Sequence, residues 1–277
     1  MSAKVMSLKA KIVNLSKVSG LPSQVILQNY MFECFLERLS LSRYRPFFIL
    51  KGGLLIADLV GLGSRSTMDL DVTIKGYPLT EIDLSKAINE ICQIEVQDNF
   101  SFKFIGITSI RDENTYGGYR VSVIANYETI MSKLQIDLTT GDVITPSEIK
   151  YNYRKTFNDK SIDILAYNTE TLLAEKIETI LNRGEFNTRI RDFYDVYILL
   201  KTKQIEWTVF IEASKNTMTH RQTLNILDNI EERVLKIKSS TKLEEIWIKY
   251  SKEYPYAYGI SYNDLLSVLN ELITKLQ

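Results

Sequence analysis

The apolar residues of this chain change their pattern near residue 160. Ahead of that point short runs alternating at every second position are mixed with helical stretches, and beyond it they recur almost throughout at every third or fourth position. A sheet-bearing segment followed by an all-helical one is what such a pattern dictates. The expected boundary therefore divides residues 1–160 from 161–277, and 277 residues suffice for two domains.

In the first segment, residues 22–42 read as a helix, opened by Pro22 and Ser23. Its apolar stripe runs through Val25, Leu27, Met31, Phe35, Leu36 and Leu39. Phe47–Leu50 is a short buried strand, broken by Lys51-Gly52-Gly53, and a short helix follows over Leu54–Leu62. Met68–Ile74 alternates as a strand, and Ile82–Ile91 is helical. Further strands are expected over 100–110, 119–125 and 132–138, with Gly117-Gly118 turning between the first two. After Asp142 and Pro146 the chain stays extended to about Tyr167, and from Asn168 on about five helices are expected.

Composition narrows the chemistry. The two cysteines, Cys34 and Cys92, make no disulfide framework, and with the single histidine, His220, they cannot build a structural zinc site. Hydrolysis that needs a catalytic histidine has only His220 to use, a residue that reads as surface or capping at the start of a helix through Leu224, Ile226, Leu227 and Ile230. Catalysis is left to carboxylates, lysines and arginines. No apolar run is long enough to span a membrane and the N-terminus lacks a signal-peptide core, so a soluble, cytoplasmic protein is expected. The net charge of zero conceals an asymmetry: residues 1–51 carry +6 and residues 52–149 carry −7. An acidic middle suits a cation site and a basic flank suits a polyanion, although solvated helices explain the flank as well.

Alternation along the strand at 68–74 puts Asp69 and Asp71 on one face, with Leu70 turned to the core. Two such carboxylates repel unless a cation lies between them. Magnesium takes carboxylate and phosphate oxygens together, so the pair reads as a nucleotide–metal site; a solvent-facing strand is the plainer alternative. In Lys133–Leu138, Asp137 projects from a sheet face in the same way. Were its strand a neighbour, three carboxylates would converge, enough for two cations in phosphoryl transfer. A turn acid ahead of Thr139–Asp142 is the other reading.

Five short motifs follow one another in order: Lys51-Gly52-Gly53, Arg65-Ser66-Thr67-Met68-Asp69-Leu70-Asp71, Ile136-Asp137, Ala174-Glu175-Lys176 and Arg191-Asp192-Phe193-Tyr194-Asp195. Together they resemble the AbiEii/MenT family of nucleotidyltransferase toxins, within the DNA polymerase β-like superfamily, over roughly residues 45–200. The resemblance implies an α+β fold: an N-terminal polymerase β-like nucleotidyltransferase domain with a mixed sheet, then an all-α C-terminal domain. It implies transfer of a nucleoside monophosphate from an NTP, with Mg2+ or Mn2+, to an acceptor RNA. In MenT-type relatives that acceptor is the 3′ end of tRNA, and its blockage arrests growth.

The same likeness implies a role in phage defence by abortive infection. It also implies a cognate antitoxin from a neighbouring gene, acting without direct protein contact. By this resemblance Asp69, Asp71 and Asp137 bind metal, and Lys176 and Asp192 join them as catalytic residues. Lys51, Gly52, Gly53, Arg65, Ser66, Thr67, Lys176, Arg183, Arg191 and Asp195 bind the nucleotide. The chain departs from the pattern at Leu54, where many relatives have a small hydroxyl residue, and at Gln135, where a basic residue often precedes the third acid.

On the residues alone, Lys176 lies beside the stripe Leu173, Ile177, Ile180 and Leu181, and reads as a solvated lysine or, with the family pattern, as a phosphate donor. Asp192 and Asp195 lie together at i and i+3 behind Arg189 and Arg191. Asp192 either orients Lys176 or Arg191, or simply complements a helix N-terminus. The late tyrosines Tyr250, Tyr254, Tyr256, Tyr258 and Tyr262 suit helix packing or base stacking. A non-catalytic nucleotide or RNA binder and a kinase-like phosphotransferase are the alternative functions. The three strand acids argue against the first, and the missing glycine-rich loop and His-Arg-Asp motif against the second.

Overall fold

A computed structural model describes residues 3–110 and 117–277. Two compact units result, residues 1–141 with 148–166, and residues 142–147 with 167–277.

The first unit opens with α1 (Ala3–Ser19), which the sequence reading did not anticipate, and α2 (Ser23–Leu41). β1 (Phe48–Lys51) runs directly into α3 (Gly52–Val60), so the helix begins at the glycines themselves. β2 (Leu70–Ile74), α4 (Glu81–Cys92), β3 (Ser101–Ile110), β4 (Gly118–Tyr127), β5 (Ile130–Thr140), β6 (Ile149–Arg154) and β7 (Ser161–Ala166) complete it. All seven strands form one mixed sheet in the order β3-β4-β5-β2-β1-β7-β6. The β2–β5 and β1–β7 pairs are parallel and the other pairs antiparallel.

Alternation along the strands decides the core. Leu70, Val72, Ile136 and Leu138 are buried, as are Met31, Phe32, Phe35, Leu36 and Leu39 of α2. Each such side chain contributes about 1.5–3 kcal/mol by leaving water. Three expectations are adjusted. Asp69 precedes β2 rather than lying within it. Gly118 is a strand residue paired with Ile110, and a Cβ on it would stand 2.9 Å from the Leu138 carbonyl oxygen. The connection expected at the β3–β4 turn falls on residues 111–116, outside the described residues. The unit ends at Ala166, because β7 pairs in the sheet beyond the expected boundary at 160.

The second unit holds α5 (Thr169–Arg183), α6 (Ile190–Thr202), α7 (Trp207–His220), α8 (Ile230–Lys238), α9 (Thr241–Glu253) and α10 (Tyr262–Leu276). Asn168 caps α5 by accepting from the Thr171 N–H at 2.7 Å, and Ser261 and Asp264 form a capping box on α10. His220 closes α7 rather than opening the next helix, and residues 224–229 form a 3₁₀ turn. Tyr194, Trp247, Tyr250, Tyr254 and Tyr256 make one ring cluster, with Tyr250 and Tyr254 centroids 4.6 Å apart, so these tyrosines pack; Tyr258 is exposed. Among the described residues no helix is long and apolar enough to cross a membrane.

Candidate active site

Strand register builds the site. Lys51 of β1 lies opposite Asp71 of β2, Asp71 opposite Asp137 of β5, and Asp137 opposite Arg120 of β4. Directly opposed residues share a face, so four side chains form one row across four strands with charges plus, minus, minus, plus. Two expected acids thus adjoin, and the row ends on an arginine that the sequence reading passed over. Arg120 donates from Nε to Oδ1 of Asp137 at 2.8 Å and from Nη2 to Oδ2 at 2.7 Å. That hydrogen bonding, then the charge of Asp137, then those of Asp69 and Asp71, raise the guanidinium above its ordinary pKa. Asp69 therefore belongs to the same electrostatic cluster.

The turn between β1 and α3 meets Asp71 closely. Gly52 has φ +65°, and a Cβ there would stand 2.0 Å from Asp71 Oδ2. The Gly53 N–H points at the same oxygen from 3.4 Å, at the limit of a hydrogen bond. A Cβ on Gly53 would come within 2.8 Å of both Arg65 Nη atoms and 2.9 Å of Thr67 Oγ1. The opening turn of α3 thus presents backbone N–H groups beside a carboxylate, in a cradle only glycine fits.

Arg65, Ser66 and Thr67 underlie that cradle. Arg65 is 2% exposed and donates to the Ser66 carbonyl. Ser66 and Thr67 are buried with it. Arg65 and Thr67 pack against Gly53, with Ser66 buried between them in the chain. From α2, Gln28 donates to the Met68 carbonyl at 2.7 Å and Asn29 to the Thr67 carbonyl at 2.8 Å. Two adjacent amides on the strongly apolar first half of α2 were the available signal for this clamp.

Asp69 and Asp71 suit a divalent cation that keeps water and phosphate oxygens as its other ligands. A three-carboxylate set is a different matter. Both oxygens of Asp137 are engaged by Arg120, and among the described residues no group of three or more His, Cys, Asp or Glu gathers as a metal cluster. The basic flank is also depleted by pairing. Arg38 is buried on Asp98 at 2.6 and 2.9 Å, and Arg43 pairs with Glu90 at 2.7 Å. Lys4, Lys9, Lys11 and Lys17 of α1 remain exposed.

In the second unit Lys176 of α5 lies 2.5 Å from Asp192 Oδ1 and 2.9 Å from Asp195 Oδ2, two carboxylates of α6 that are 3% and 0% exposed. Arg189, the residue before α6, lies 3.0 Å from Asp192 Oδ2. Lys176 is therefore no solvated lysine, and Asp192 holds it. Arg191 stands over the Tyr254 ring at 5.9 Å, and Arg183 is exposed in the last turn of α5. A second pairing escaped the sequence reading: Arg221 meets Glu178 at 2.5 Å and Glu175 at 3.4 Å.

Comparison with known proteins bears on this geometry. JHP933 from Helicobacter pylori superimposes with a TM-score of 0.50 at 15% identity, covering 92% of this chain and 94% of that one. A crystal structure described as a candidate nucleotidyltransferase from H. pylori gives 0.49 at 15% identity, over 92% and 97%. At that identity the likeness to JHP933 speaks for the fold alone. No curated protein matches by sequence. Residues 34–256 match the family described as the nucleotidyl transferase AbiEii toxin of a type IV TA system. The chain belongs to the AbiEii family of nucleotidyltransferase toxins.

Proposed function

We propose that this nucleotidyltransferase moves a nucleoside monophosphate from an NTP to the 3′ end of an RNA, with tRNA as the acceptor, in a reaction that requires Mg2+ or Mn2+. The acceptor hydroxyl gives up its proton to solvent as its oxygen bonds to the α-phosphorus, the bond from that phosphorus to the bridging β-phosphate oxygen breaks, and pyrophosphate leaves. The observation that carries the reading is Asp71, held between the Gly52-Gly53 turn and the strand of Asp137.

Asp69 and Asp71 are the residues that would hold the cation, whose chemistry is to neutralise phosphate oxygens and polarise the reacting ones. The N–H groups opening α3 suit an anion, and Lys51 adds a positive charge at the same end. Arg65 and Thr67, packed against Gly53, hold that turn in shape. In the helical unit Asp192 and Asp195 fix Lys176, while Lys176, Arg183 and Arg191 offer positive charge to phosphate. The exposed lysines of α1 supply charge for the RNA.

Arrest of growth by blocked acceptor ends fits a toxin of phage defence acting in the cytoplasm. The antitoxin of such a system would then counter the effect without touching the toxin. Incubation with α- or γ-labelled NTPs and total RNA tests the reaction. Label from the α position in RNA supports it; γ label would mark a phosphotransferase, and NTP binding with no transfer would mark a binder.

A further inference from the structure

We infer that Arg120 takes the place of a second metal ion, so that the site binds a single divalent cation on Asp69 and Asp71. The inference rests on the metal-dependent reading above and deepens it. Three carboxylates on one sheet face would call for two divalent cations to balance them. Here one of the three is already balanced: Arg120 grips Asp137 through Nε and Nη2 in the parallel, two-pronged geometry that is the strongest form of this pair. Arg120 and Asp137 face each other directly across β4 and β5, so the backbone register fixes the partnership rather than a chance rotamer.

Arg120 balances Asp137, and Lys51, opposite Asp71 on β1, further reduces the negative charge left for a second cation. A second such ion beside Asp137 would have to displace a guanidinium and sit against its positive charge. The pair is also within reach of substrate, since the Arg120 side chain is 43% exposed and that of Asp137 is 20% exposed. A fixed guanidinium at the edge of the acid cluster can donate to phosphate oxygens without leaving with the product. Arg120 is in this account a charge-supplying residue positioned by Asp137, and Asp137 is not a metal ligand.

Mn2+ binding to the full chain, followed by calorimetry and by electron paramagnetic resonance of the free ion, tests the inference without recourse to turnover. The wild-type chain is expected to bind one Mn2+. Asp137→Asn should keep that stoichiometry and weaken binding on the order of tenfold, because the Arg120 charge is then left unbalanced beside the ion. Arg120→Gln should release Asp137 to the cluster and tighten Mn2+ binding on the order of tenfold, the size of effect one neighbouring charge has on an ionisable site. Arg120→Gln with Asp137→Asn should return to the wild-type affinity.

Two Mn2+ ions on the wild-type chain, or a double variant that binds Mn2+ far more weakly than wild type, would overturn the role given to Arg120 while leaving the metal reading intact. Absence of Mn2+ binding, or binding indifferent to Asp69→Asn, would instead overturn the metal reading itself. The number of Mn2+ ions on the wild-type chain decides the matter even if Arg120→Gln does not fold.

Discussion

The Cα of Gly52 leaves no space for a side chain beside Asp71: a Cβ at residue 52 would stand 2.0 Å from Oδ2 and 2.7 Å from Cγ of that carboxylate. Backbone and acid are therefore one unit, and the turn opening α3 cannot change without moving Asp71.

Gly52→Ala should act on both at once. The residue has φ +65°, which an alanine adopts only with strain, and the carboxyl group itself must shift. A loss of about 1–3 kcal/mol in urea unfolding is expected, with transferase activity falling further than stability explains. Full activity in this variant would mean that Asp71 has no fixed place in the reaction.

Lys176→Met should destabilise the chain strongly. The lysine lies between Asp192 and Asp195, and its loss leaves two buried carboxylates without their shared cation. A cost of about 3–5 kcal/mol follows, where a solvated lysine would change stability by a few tenths. Adding Asp192→Asn and Asp195→Asn should recover much of the loss, and a double- and triple-mutant comparison by urea unfolding checks it. A Lys176→Met chain of wild-type stability would contradict the pairing.

Stability should depend on Glu33 through pH. This buried acid of α2 accepts the Thr156 N–H at 2.7 Å, yet burial outweighs that bond and the Lys155 charge and raises its pKa from 4.5 to about 7. Between those values the folded chain holds a proton that the unfolded chain has lost. Its contribution to stability is complete below pH 4.5 and disappears as pH rises through 7. Glu33→Gln stays neutral and keeps an acceptor for Thr156. The variant should equal wild type near pH 5 and exceed it near pH 8, by about 2–3 kcal/mol. Parallel curves of Tm against pH for the two proteins would refute this.

Much of the site could be read in the sequence because it obeys local periods. Leu70 between Asp69 and Asp71, and Ile136 and Leu138 around Asp137, announce which side chains leave the core. What alternation cannot supply is register between strands. Arg120 looks like any strand arginine until β4 is set against β5 and it falls opposite Asp137. Charge counting failed at Arg38 for a similar reason, since Asp98, 60 residues away, removes it from the surface. Gln28 and Asn29 were hidden by their helix, where a polar residue usually means solvent; here both reach the backbone at 67–68. Lys176 was placed beside the apolar stripe correctly, but its two partners belong to another helix.

The most direct measurement is transfer of α-phosphate label from NTP to RNA by wild-type and Asp71→Asn proteins, read beside their melting temperatures. The account predicts label on RNA with the wild-type chain and Mg2+. It predicts a fall of at least about a hundredfold with Asp71→Asn, the scale expected when an essential charge is removed from a phosphoryl-transfer site. The Tm should be nearly unchanged, because asparagine keeps the shape of the acid and the attraction lost to Lys51 is offset by the repulsion relieved from Asp69 and Asp137. Wild-type labelling by Asp71→Asn would contradict the account at its centre.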